Sequence, residues 1–428
     1  MQKSRLTIIF AIVFVDILGF SLILPLIPFY AGTYGASATV AGLLVASYAA
    51  AQLIGAPVLG RLSDRYGRRP ILLISILGTA LGFVLLGVAP ALGDALAGED
   101  SLATRNLIVL SLLFASRILD GLTGGNISVA RAYVADVTDE TNRAKGMGIT
   151  GAAFGLGFII GPVIGGTLST WGYAVPAFAA AILAAFNLIG VFIWLPESLT
   201  PERRAELARY PRPDFSPLGL MASFQRPRVG SLLYTRLFFG LSAATLHTIF
   251  PLYAEYRLGL DEQVTSYVLA YVGLLAVLVQ GLAIRRLTDR FSESQLIMAG
   301  VLLMAPSMLG WAFAPSLLVL LIVLAPIALA SGVLNTTLNS ALSKAVYPEE
   351  IGSILGLAAS IESATRVVAP AVGGLLLQQG GTSAPGVLAG AVLFLVAPFI
   401  WRWLIAHPAP PLPIRGSDPH TVEAKSFN

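Results

Sequence analysis

The 428-residue chain has no cysteine, three histidines and charge on only 12% of its positions. Without cysteine there is no disulfide, no thiolate metal site and no cysteine nucleophile. The shortage of charge argues against a soluble domain, where about a quarter of residues are Asp, Glu, Lys or Arg. No nucleophile–base pair or metal-ligand cluster stands out either, so an enzyme is not expected. What the chain has instead is apolar: 56% of residues are hydrophobic and the mean hydropathy is +0.80. Runs of about 20 apolar residues, each long enough to cross a bilayer core, recur along nearly its whole length.

The net charge of +4 and pI near 9.3 do not point to a nucleic acid. The basic residues collect in short loops between apolar runs, as membrane insertion requires. The pattern predicts twelve helices over 6–30, 39–60, 69–90, 106–135, 144–168 and 173–195, then 229–254, 264–284, 294–313, 316–341, 351–377 and 385–406. Loops on one side hold Arg61, Arg65, Arg68, Arg69, Arg143, Lys145, Arg285, Arg286, Arg290 and Lys344. The largest loop on the other side, 91–105, holds Asp94, Glu99 and Asp100 against a single Arg105. The excess of positive charge places the basic loops and both termini in the cytoplasm of a plasma-membrane protein. Lys3, Arg5 and Ala36-Ser37-Ala38 have the look of a signal peptide. The run between them is too long for one and contains Asp16, so it is expected to stay as helix 1.

Residues 196–228 break the apolar pattern with Glu197, Glu202, Arg203, Arg204, Glu206, Arg209 and Arg212. They are expected to form a cytoplasmic linker with a short amphipathic helix. It would separate an N-terminal six-helix bundle (1–195) from a C-terminal one (229–406). The proline-rich then polar tail, 407–428, is expected to be disordered. Three fragments recur in order at offsets of about 208 to 225. Pro28-Phe29-Tyr30-Ala31 returns as Pro251-Leu252-Tyr253-Ala254. Arg61-Leu62-Ser63-Asp64-Arg65 returns as Arg286-Leu287-Thr288-Asp289-Arg290, and Gly161-Pro162-Val163-Ile164-Gly165-Gly166 as Ala369-Pro370-Ala371-Val372-Gly373-Gly374. A parallel repeat of this kind places a binding cavity between the halves near mid-membrane.

Several motifs carry a family resemblance. The segment Gly60-Arg-Leu-Ser-Asp-Arg-Tyr-Gly-Arg-Arg-Pro70 resembles the G-x-L-x-D-R-x-G-R-R-P signature of the major facilitator superfamily. Ser116-Arg-Ile-Leu-Asp-Gly-Leu-Thr-Gly-Gly125 resembles its helix 4 motif, and 151–166 resembles the glycine-rich helix 5 motif of its antiporters. Asp16-Ile-Leu-Gly-Phe-Ser-Leu-Ile-Leu-Pro25 is similar to helix 1 of the twelve-helix drug:proton antiporters, especially the tetracycline-efflux branch. The resemblance implies an all-α fold of two pseudo-symmetric six-helix bundles. It implies alternating access and proton-driven export of a lipophilic small molecule, with no cofactor beyond the proton gradient. It also marks a departure. Tetracycline exporters carry acidic residues in helices 3 and 9, and 71–90 and 296–313 contain none, which argues against a metal–tetracycline cargo. Export or flipping of an amphipathic lipid, uptake symport, and a non-transporting ligand-binding receptor are the alternatives. Protons, membrane lipids and the cargo are the expected partners of a monomer.

Charge at mid-membrane depth costs about 2.5–3.5 kcal/mol per residue on insertion scales and needs a reason. Asp16 is the main candidate for proton coupling, because its duplicate position near Phe239 is apolar. Arg117 is the candidate partner, either loosely or as a permanent salt bridge. Asp120, Glu362 and Arg366 are further proton-coupling candidates, with Asp120 or Glu362 as an auxiliary proton site. Asp120 stands three residues from Arg117, and Glu362 four from Arg366, so each also suits an intrahelical pair. Candidate cavity walls are Phe20, Tyr48, Gln52, Asn126, His247, Tyr267, Tyr271, Gln280, Asn335 and Asn339. Gly60 and Gly67 suit tight turns, and Asp64 suits a helix N-terminus of the opposite half. Arg65, Arg68 or Arg69 is expected to pair with Asp136. The resemblance makes these residues a gate latch. The second-half copy, without glycines, looks vestigial. Gly161, Gly165 and Gly166 with Pro162 predict close helix packing.

Overall fold

The computed structural model describes residues 2–98, 101–138, 140–199, 223–226, 228–347 and 350–406. The expected linker helix and tail lie outside these residues. The described residues are helical, with no strand among them, and twelve helices are long and apolar enough to span a bilayer. In the first half these are α1 (Leu6–Gly32), α2 (Ala38–Tyr66), α3 (Arg68–Ala97), α4 (Leu102–Val137), α5 (Thr150–Ser169) and α6 (Ala174–Trp194). In the second they are α7 (Val229–Leu258), α8 (Glu262–Arg290), α9 (Glu293–Ala312), α10 (Leu317–Lys344), α11 (Ile354–Gly380) and α12 (Ala384–Ala406).

Local chemistry sets the ends. Ser37, Ser101, Asp261 and Ser316 each accept a bond from the backbone N–H three residues on, capping α2, α4, α8 and α10. Ser292 and Gln295 form a reciprocal capping box at α9. The α2–α3 connection is far tighter than expected. Helix continues through Tyr66, and Gly67 alone makes the turn at φ 110°, where a side chain would be strained. Gly60 therefore lies within a helix, and nothing comes within 4 Å of where its side chain would begin. The expected tight turn there is not found. Breaks fall at Leu24–Leu26 in α1 and at Gly124–Gly125 in α4, and a π-helical turn, Val279–Ala283, interrupts α8.

The duplication is visible in the bonds. The Tyr30 hydroxyl donates to the Leu86 carbonyl at 3.0 Å, and Tyr253 donates to Trp311 at 2.6 Å. Each thus ties the end of the first helix of its half to the third. The paired glycines repeat a subtler relation. Gly165 packs on the Leu22 backbone of α1 and Gly166 on Ser266 of α8. Gly373 packs on Ile249 of α7, and Gly374 on Ala38 and Thr39 of α2. In each pair the first glycine abuts the leading helix of its own half, and the second abuts the second helix of the other half.

The halves therefore meet along α2·α11 and α5·α8. Their contacts cluster at the end opposite the basic loops. There Ile249, Leu252 and Leu377 join a core otherwise built from the first half, and the Thr39 N–H donates to Gln378 at 3.3 Å. At the basic end the core, from Leu6 to Leu195, contains first-half residues only. Gly148 and Gly151 of α5's line and Gly281 of α8 have nothing packed on them. Among the described residues the halves are sealed at one end and parted at the other.

Candidate functional site

Asp16 lies ten residues into α1, about 15 Å along the helix axis and near mid-membrane. It borders a small cavity with Ile12, Val13, Leu72, Ile76, Ile127, Ala130 and Asn187. The Asn126 amide donates to its carboxylate, and Asn187 donates to the Ile12 carbonyl at 3.0 Å, fixing α6 beside it. Arg117 is not its partner in this conformation. That guanidinium lies over the Phe83 ring and forms a 3.1 Å ion pair with Asp120, both side chains being buried. Asp120 remains close enough to Asp16 for the two carboxylates to interact electrostatically.

A second cluster stands across the divide. Glu362 takes Arg236 on one carboxylate oxygen and Arg366 on the other, each at 2.6 Å. Arg236 also donates to Asn335 at 2.8 Å. Arg366 reaches electrostatically towards Tyr48, His247 and, on α4, Arg131. Sequence reasoning passed over Arg236, although the signal was the one that flagged Asp16: a charge inside an apolar run.

Of the expected cavity walls, Phe20, Tyr48 and Gln52 come together. The Phe20 and Tyr48 rings are 5.0 Å apart, and Gln52 donates to the Tyr48 hydroxyl at 3.0 Å and to the Gly124 carbonyl at 2.9 Å. Asn126 joins Asp16, Asn335 joins Arg236, and His247 is exposed in the field of Arg366. Asn339 is exposed one turn beyond Asn335, and Gln280 is exposed on the π-helical turn. Two expectations are corrected. Tyr267 bonds Thr167 at 2.9 Å in the sealed α5·α8 seam, and Tyr271 packs in the second-half core with its hydroxyl on the Leu321 carbonyl. Tyr267 is thus engaged in the seam near the start of α8, and Tyr271 in the core of its own half.

The latch residues engage within their own half. Arg68 is the buried hub, bonded to Asp64, to Ser63 at 2.7 Å and to Asp136 at 2.9 Å. Arg65 stacks on Tyr66 and Arg69 on Phe192. Among the described contacts, Asp64 pairs with Arg68 of its own half. Glu197, just past the end of α6, takes the backbone N–H groups of Arg68 and Arg69 at 2.9 and 3.0 Å and caps α3. Its position in a charged run concealed that. The second-half copy, without the glycines, keeps one exposed link. Glu293, at the start of α9, pairs with Lys344 at the end of α10 at 2.8 Å and accepts from Ser340. This repeats the Arg68–Asp136 link between corresponding helices with the charges exchanged.

Fold, repeat and site together define a membrane transporter built of two six-helix halves around a polar, mid-membrane cleft. The chain belongs to the Major Facilitator Superfamily, whose family model matches residues 9–370, with a second match over 282–427. It is 32% identical over 412 residues to the class C tetracycline resistance protein of Escherichia coli, covering 92% of this chain and 96% of that one. It is 29% identical to multidrug resistance protein 2 of Bacillus subtilis (94% and 96% covered) and 30% identical to solute carrier family 22 member 18 of Rattus norvegicus (88% of each). Among solved structures it shares its fold with the human organic anion transporter MFSD10 (TETRAN), at TM-score 0.65 and 24% identity over 93% of this chain and 99% of that one. A peptide transporter, POT, gives 0.72 at 14% identity, with 93% of each chain covered. These are transporters and not enzymes, as the composition implied.

Proposed function

We propose that this protein is a proton-coupled antiporter that exports a lipophilic small molecule by alternating access, with Asp16 carrying the proton. The supporting observation is the setting of that carboxylate. It stands at mid-membrane depth in a mostly apolar cavity, held by the neutral amide of Asn126, with no cation at ion-pair distance among the described residues. A proton is then the simplest way to remove a charge that is expensive at that depth. Glu362 is different: two arginines already neutralise it, which suits a fixed part of the cleft. Drug-resistance names among the relatives support export.

With the basic loops in the cytoplasm, the described state faces inwards and loads cargo. Closing the basic end would bring the α2–α3 turn against the second half while the α2·α11 and α5·α8 seams part. Proton and cargo each shift the balance by binding one state better than the other. A drug panel in proteoliposomes with an imposed pH gradient tests this reading. At least one lipophilic compound should move against the proton flow in the wild type and not in Asp16→Asn. Gradient-driven transport that survives in Asp16→Asn would overturn the assignment.

A further inference from the structure

We propose that Arg131 and Arg366 form an anion-binding subsite, so that the cargo is an aromatic or lipophilic molecule carrying a carboxylate, sulfonate or phosphate. This rests on the transporter reading above but not on its proton coupling. Two guanidiniums, Arg236 and Arg366, hold the Glu362 carboxylate, and a third, Arg131, interacts with it electrostatically without contact. Glu362 and Asn335 occupy Arg236, which is buried, whereas half of the Arg366 side chain remains exposed. Arg131 is exposed and forms no ion pair among the described residues. It lies over the Phe154 ring at 5.9 Å and feels both Glu362 and Arg366 across the cleft. The cluster therefore carries more positive charge than its own carboxylate can answer.

An apolar surface leads to it. Tyr48 meets Phe20 at 5.0 Å, Phe20 meets Phe158 at 6.3 Å, and Phe158 meets Phe154 at 6.4 Å, which ends under Arg131. A flat, apolar body laid along these rings puts its charged end between Arg131 and Arg366. The pairing also gives closure a requirement. With the basic end parted Arg131 is exposed; closing that end would bury it and leave an uncompensated charge, which is costly. An anion supplies the missing charge, so the loaded cleft closes more readily than the empty one.

Equilibrium binding to the purified protein in detergent tests this without any proton gradient. The probes are naphthalene-2-sulfonate, its neutral analogue 2-naphthalenemethanol and the cation 2-naphthylmethylammonium, with dihexanoyl phosphatidic acid as a lipid-headgroup arm. The sulfonate should bind at least tenfold more tightly than the neutral and cationic analogues. Arg131→Gln should lose at least tenfold of that preference, and Arg131→Lys should restore part of it. Arg131 has no ion pair to break, so its variants should keep the wild-type melting temperature, which guards against misfolding in Arg366→Gln. Stronger binding of the lipid probe than of the sulfonate would identify a headgroup as the source of the anion, and the reverse a free organic anion. Equal binding of the three naphthalenes, or a sulfonate preference unchanged in Arg131→Gln, would overturn the subsite. A failure of proton coupling would leave these results untouched.

Discussion

Arg117 and Asp120 are almost wholly buried and neutralise each other, yet Arg117 Nη2 and Asp120 Oδ2 have no hydrogen bond. Their attraction is ionic, in a poorly aligned pair that cannot lose one member cheaply. Asp120→Asn is expected to cost about 3–5 kcal/mol, because an unanswered arginine would remain inside the bundle. The melting temperature in detergent should fall accordingly. Asp16→Asn removes a charge that Asn126 alone bonds among the described residues and that the Asp120 carboxylate repels, so its melting temperature should equal or exceed that of the wild type. The sequence marked each of these charges by its place in an apolar run. It could not show that Arg117 turns to its own helix and not to Asp16, since that depends on the rotation of α1 against α4. Nor did it show that Arg236 shares Glu362 with Arg366, a convergence of residues 126 positions apart.

Helix ends and seams carry the next layer. The Arg68 side chain is 6% exposed and joins Asp64 and Asp136, whereas Lys344 is 71% exposed beside Glu293. Burial therefore separates two links that occupy equivalent places. Lys344→Ala should cost at most about 1 kcal/mol, as exposed pairs do. Arg68→Ala leaves two partly buried carboxylates facing each other and should destabilise the protein by about 3–5 kcal/mol, seen as a drop in melting temperature several times larger. The sealed seam is equally specific. A side chain on Gly374 would begin 2.5 Å from the Ala38 carbonyl oxygen, and overpacking of this kind costs about 1–3 kcal/mol. Gly374→Val should open the sealed end. Because the chain has no cysteine, His247→Cys provides a single labelling site, and it should react faster with a thiol reagent added from that side when Gly374 is replaced by valine. The glycine spacing made close packing legible. That each glycine pair serves both its own and the opposite half was not, because sequence periodicity contains no inter-helix register.

At the scale of the molecule, twelve spans and the duplication were legible because hydropathy and repeated motifs are local signals. The state of the cleft was not, since the same helices pack in either arrangement and only the contacts between halves distinguish them. Those contacts predict that Thr39→Cys with Gln378→Cys, whose parents touch across the sealed end, can be joined by a short, reducible bifunctional thiol reagent, and that the bridge stops transport until it is reduced. The proposed antiport turns on Asp16 coupling protons to cargo. The most direct measurement is lumenal pH in proteoliposomes, followed with a trapped dye as an exported compound is added. Cargo-dependent proton movement opposite to the cargo is predicted for the wild type, and none for Asp16→Asn, with binding of the compound retained. Equal proton movement in the two proteins, or cargo flux in the wild type with no proton movement, would contradict it.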